Sequence, residues 1–171
     1  MRTIRFLALI LFACNLSAAE TLRLPNIFGP KMVLQQGKPV HIWGWAKAGA
    51  EVKAQFAGQS KSAKADGEGQ WLLLLDKLET SFKGRELVVI SGNEKITLTD
   101  ILVGEVWVCG GQSNMEWSLR ASRDSDLEVA SVDAPHIRFI RLPHVAWPDP
   151  KEDFPVANEI NNEGNWRQAI P

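Results

Sequence analysis

Hydrophobic positions follow two different rhythms along this chain. Between residues 21 and 100 they come in short runs separated by turn residues. Met32 to Leu34 is a brief apolar piece closed by Gly37-Lys38-Pro39. From Val40 to Trp45, Val40 and Ile42 fall on one face and His41, Trp43 and Trp45 on the other. Val52, Ala54 and Phe56 repeat the alternation; Gly58-Gln59 turns the chain into Ser60 to Ala65, and Asp66-Gly67-Glu68-Gly69 turns it again. Trp71 to Leu75 and Leu87 to Ile90 are continuous apolar runs, and Gly92-Asn93 leads into Ile96 to Leu98. A period of two is that of a half-buried strand, and turn signals every ~8–12 residues predict an antiparallel β-sandwich over residues 20–100.

After residue 100 the rhythm changes. Ile101 to Cys109 is apolar except for Gly104-Glu105, which predicts a central strand buried on both faces, as in a parallel sheet. Asp124 to Val132 reads as a helix, with Ser125 and Glu128 at capping-box spacing. Pro135 ends it, and Ile137 to Leu142 predicts the next strand. Strand, helix and strand make a βαβ unit. The expected fold class is therefore mixed β and α/β: a sandwich, then the start of an α/β domain over residues 101–171. One βαβ unit cannot cover a parallel sheet, so that domain reads as incomplete. From Pro143 onward Pro, Asn, Asp and Glu dominate, and the pattern predicts loop.

The N-terminus follows neither rhythm. Arg2 and Arg5 precede a short apolar run, Phe6 to Ala13, and Ser17-Ala18-Ala19 supplies small residues for cleavage. The run is too short to span a bilayer, so residues 1–19 read as a signal peptide and the protein as exported, periplasmic or extracellular. Leu-Phe-Ala-Cys14 offers a competing reading, a lipidated cysteine that would anchor the protein to a membrane.

Charge narrows the partners. A net charge of −1 leaves no basic footprint for nucleic acid, nor for an anionic membrane unless Cys14 is lipidated. No Cys and His pair has metal-ligand spacing, and no cofactor is expected. Cys109 ends an apolar run and reads as a buried, inert thiol. Seven Trp and no Tyr admit two readings: core packing, or a sugar platform around Trp43-Gly44-Trp45. His41 lies mid-strand without a nearby carboxylate and reads as structural.

The chemistry concentrates at Ser113. Gly110-Gly111 permits a tight turn, and Ser113 and Glu116 have S-x-x-E spacing. Ser113 can therefore be a helix cap. It can equally be a nucleophile, at the end of a strand where open α/β sheets place their sites and near backbone N–H groups that favour an oxyanion. The residues alone leave both roles open.

The stretches LRLPNIFGPKMVLQQGKPVHIWGWA (22–46), ADGEGQW (65–71), LTDILVGEVWVCGGQSNMEW (98–117) and IRFIRLP (137–143) resemble the N-terminal part of sialate O-acetylesterases, within the SGNH (GDSL-like) hydrolases. The GQSNM run is the specific one: there the family carries its nucleophile, which matches Ser113. The resemblance implies a Ser-His-Asp hydrolase that removes O-acetyl groups from sugars, chiefly sialic acid, without metal. It also implies a β-rich domain beside the SGNH domain and a Ser113 backbone N–H in the oxyanion hole. The group's D-x-x-H block lies late in a longer chain. Asp133-Ala134-Pro135-His136 matches its letters but not its place, so His136 reads as structural. His144 has no Asp in motif spacing. The chain is thus expected to be a fragment or truncated form, weakly active or inactive, acting on an O-acetylated sugar or glycan. An acetylxylan-type esterase and a carbohydrate-binding β module are the other readings.

Overall fold

The computed structural model describes residues 21–143 (Glu116 by its backbone alone), 145–146, 148–155 and 163–169. The expected signal peptide, Cys14 and His144 lie outside them. The described chain is mostly β, built from β1 (Val33–Gln35), β2 (Val40–Trp45), β3 (Glu51–Phe56), β4 (Gln59–Lys64), β5 (Gln70–Leu75), β6 (Ser81–Ser91) and β7 (Glu94–Gly104). The helix α1 (Ser125–Ser131) and the strands β8 (Ala134–Phe139) and β9 (Arg167–Ala169) follow.

Five strands form one sheet in the order β1-β7-β6-β3-β4, antiparallel except that β1 lies parallel to β7. Strands β2 and β5 make a separate antiparallel ribbon, in register from Val40↔Leu75 to Trp45↔Gln70. The sheet curls until β4 lies alongside β5. Gln59 of β4 fastens that approach: its Nε2 donates to the Asp76 carbonyl at 3.2 Å and its Oε1 accepts from the Asp76 N–H at 2.7 Å. Alternation along the strands then fills one core. Ile42 and Leu75 of the ribbon share it with Val52, Phe56, Leu87, Val89, Ile101 and Val103 of the sheet. Full burial of each such side chain contributes ~1.5–3 kcal/mol.

Three features depart from the sequence pattern. The continuous apolar run of β5 alternates in burial: Trp71, Leu73 and Leu75 turn inward, while Leu72 and Leu74 face solvent. The central strand expected from Ile101 to Cys109 does not form. Its first part is the end of β7, which passes through residue 100, and Ile101, Leu102 and Val103 are buried between β1 and β6. The strand stops at Gly104, after which Trp107 and Val108 are 82% and 98% exposed. Apolar character continued past the last strand able to pair with it.

The βαβ unit is the third. Helix α1 has only seven residues, none buried. Ser125 does not cap it: Asp124 holds the cap position in a left-handed conformation (φ 55°), and the Ser125 hydroxyl donates to the Arg120 carbonyl at 3.1 Å. Strand β8 begins at Ala134, earlier than expected, and pairs antiparallel with β9, inside the segment expected to be loop. No parallel crossover joins β8 to β7 among the described residues.

Arg138 latches β8 onto the sheet. Its side chain is 3% exposed, and Asp100, at a left-handed kink (φ 58°) in β7, is its carboxylate partner at 3.1 Å. The guanidinium also donates to the Asp100 and Lys31 carbonyls, the latter at 3.1 Å. The last described segment docks nearby. Asp153 accepts the Asn26 N–H at 3.0 Å, and the Trp166 indole N–H donates to the Ile27 carbonyl at 2.8 Å.

Candidate active-site segment

Strand β7 delivers the chain to Ser113 through a clasp at its exit. The side-chain amides of Gln36, just beyond β1, and Gln35, at its end, donate to the two oxygens of Glu105 at 2.5 Å and 3.2 Å. The Gln35 side-chain Oε1 in turn accepts the Val106 N–H at 2.9 Å. These donors, Gln36 first and Gln35 second, with Lys38 adding a weaker attraction, hold the Glu105 carboxyl below its ordinary value of about 4.5. Nothing in one strand's pattern reveals this clasp, because Glu105 lies 69 and 70 residues from its two partners. The only signal was a pair of glutamines where an apolar strand gives out.

Beyond the clasp the chain runs exposed through Gly110-Gly111 into a single 3-10 turn, Ser113–Glu116. Gln112, extended at φ −111°, precedes it, and the Met115 N–H closes on the Gln112 carbonyl at 2.8 Å. Gly111 lies where a Cβ would meet the Met115 side chain at 2.6 Å, a close approach of the kind Gly110-Gly111 suggested. Ser113 is exposed at the head of the turn. Among the described residues its hydroxyl and N–H make no hydrogen bond. The helix-cap reading therefore fails in its expected form, since no α-helix starts here and the cap position is held by Gln112, which makes no side-chain capping bond. A helix dipole adds little to an oxyanion here, because four residues of 3-10 turn carry little dipole.

No histidine among the described residues reaches this turn. His41 is exposed in β2, opposite Leu74. His136 lies in β8 and stacks on Phe82, with ring centroids 4.7 Å apart. Cys109 is exposed rather than buried, because the strand expected to bury it ends earlier. Among the described residues no three His, Cys, Asp or Glu side chains are grouped to hold a metal ion, and no helix is long and apolar enough to cross a membrane. The tryptophans divide between the two readings. Trp45 and Trp71 are core, while Trp43, Trp107 and Trp117 are exposed.

Comparison with known proteins supplies the context. Human sialate O-acetylesterase is 32% identical over 141 residues, covering 75% of this chain and 26% of the relative. A solved carbohydrate acetylesterase from Xanthomonas citri superposes with a TM-score of 0.79 at 30% identity, over 86% of this chain and 32% of that one. The chain belongs to a sialate O-acetylesterase-like family. The mouse sialate O-acetylesterase extends the match to 90% of this chain at 26% identity. No protein-family model matches. The chain spans about a quarter of the length of this esterase family's human member.

Proposed function

We propose that this chain carries the nucleophile of an exported carbohydrate O-acetylesterase of the serine type, acting on O-acetylated sialic acid or a related glycan. The observation that carries the reading is the exposed Ser113 hydroxyl, unbonded among the described residues, on its Gly-Gly turn, in a chain related to esterases over most of its length. The curled β unit would then be the sandwich that accompanies an SGNH domain, and the residues after β7 the start of that domain. Residues 1–19 are proposed as the export signal.

The chemistry is acyl transfer. The Ser113 Oγ attacks the acetyl carbonyl carbon while a base takes its proton, and the carbonyl π electrons move to oxygen. That oxyanion is met by the Ser113 N–H, which is free of partners among the described residues. Collapse breaks the bond to the sugar oxygen, which leaves with the proton held by the base. Water then repeats the sequence on the acetyl-serine and releases acetate. The base and its orienting carboxylate are not beside Ser113 among the described residues, so hydrolysis by this chain alone should be slow.

The test compares the purified chain with its Ser113→Ala variant on an activated acetyl ester and on an O-acetylated sialic acid, following acetate release. A slow rate that disappears in the variant supports the reading. Equal rates above the buffer blank would refute it for this chain.

A further inference from the structure

The loop before β1 and the segment before β9 line a half-open cavity of about 330 Å³, at the small end of the range for small-molecule sites. It shares no residue with the Ser113 turn. Phe28 and Trp166 give it aromatic walls, Asn165 gives it an amide, Asn26 adds a side-chain oxygen (its amide N–H is held by the Phe154 carbonyl), and Lys31 stands at its edge. A second depression of similar size, beside the Glu105 clasp, has no aromatic wall, and the clasp occupies its glutamine and glutamate groups.

Three features mark the first cavity as built. The Trp166 ring is fixed, because its indole N–H is bonded to the Ile27 carbonyl at 2.8 Å. Phe28 is braced edge-on by Trp43, with ring centroids 4.6 Å apart and planes at 70°. Lys31 has a left-handed backbone (φ 67°), which a lysine rarely adopts. It is held there from both sides: its N–H donates to the Thr99 carbonyl at 3.0 Å, and its carbonyl accepts from Arg138 at 3.1 Å. Such over-determined strain clusters where a protein clamps a ligand. The Lys31 ammonium has no carboxylate partner among the described residues.

Fixed aromatic walls suit the C–H faces of a sugar ring, amides suit its hydroxyls, and an unpaired ammonium suits a carboxylate. We propose that this cavity binds one acidic sugar residue, with its carboxylate at Lys31, and so gives the β unit a sugar site of its own. The proposal does not depend on Ser113 being a nucleophile.

The test is therefore run on the Ser113→Ala chain, without any ester. Glucuronate, N-acetylneuraminate and neutral methyl glucoside are titrated to millimolar concentration while amide and indole resonances are followed by NMR. The expected result is saturable shifts at Gly164, Asn165 and the Trp166 indole, with an acidic sugar bound more tightly than the neutral one. Lys31→Gly removes the charge at a backbone angle that glycine adopts freely, so the fold is retained. It should weaken acidic-sugar binding about tenfold and leave the neutral sugar unchanged. No saturable shift at these residues with either acidic sugar would overturn the proposal. So would equal acidic-sugar affinity in the Lys31→Gly chain.

Discussion

Replacing Arg138 with methionine should release β8 and β9 while leaving the β core intact. Methionine keeps the apolar bulk of the arginine stem and removes the guanidinium. The Asp100 and Lys31 carbonyls lose a charged donor, and the Asp100 carboxylate loses its cation. Bonds to a charged group are worth about 1.5–3 kcal/mol each, but they share one side chain and do not add. The carboxylate pair is discounted further, because the Asp100 side chain is 42% exposed. The net loss is then about 2–4 kcal/mol, somewhat below the cost of breaking a fully buried pair. At 1.4 kcal/mol per factor of ten, local opening becomes about 30- to 700-fold more frequent. Hydrogen exchange read by mass spectrometry measures this directly. Peptides from β8 and β9 should lose protection by that factor, while those from β3 and β4 keep theirs. Unchanged protection in β8 would refute the latch. Equal loss across β3 and β4 would show that Arg138 supports the whole fold instead.

Two further outcomes test other contacts. Gly44→Ala would place a Cβ 2.3 Å from the Arg23 carbonyl and 2.9 Å from the Trp71 ring, so stability should fall by about 1–3 kcal/mol in urea unfolding. Gly67→Ala, with nothing within 4 Å of the added carbon, should leave the urea midpoint in place. The Glu105 carboxyl is depressed in the folded chain, so the clasp contributes fully above the ordinary value of about 4.5 and is lost as pH falls through the lower folded value. The Gln36 side-chain amide resonances should follow that titration with a midpoint below 4.5, and a midpoint above it would contradict the clasp. Glu105→Gln should abolish the titration.

Strand β2 was legible end to end, and β3 to within a residue, because alternation is a local property. The same logic failed at β5, where Leu72 and Leu74 are apolar yet face solvent, and an apolar letter does not state its burial. The length of β7 was hidden because Thr97, Thr99 and Asp100 interrupt the apolar run, although the backbone carries the strand through a left-handed kink. Strand β9 reads Arg-Gln-Ala and has no pattern of its own; β8 recruits it. At the candidate site the Gly-Gly-Gln-Ser run drew attention to Ser113 directly. The clasp and the latch were invisible, because Gln36 meets Glu105 and Asp100 meets Arg138 only after folding. An arginine inside the apolar run IRFIRL was the one hint of the latch.

The parallel pairing of β1 with β7 also sets a schedule. Val33 pairs with Leu102 and Gln35 with Gly104, so the first strand of the sheet has no neighbour in it until the last has been made. For a chain emerging N-terminus first, β1 must wait unpaired until residue 104 is available, while β2, β3, β4, β5 and β6 can already pair among themselves. The next residue, Glu105, fastens the closed sheet, and the serine turn follows within the next few residues. The order of synthesis thus finishes a platform just before the Ser113 turn arrives.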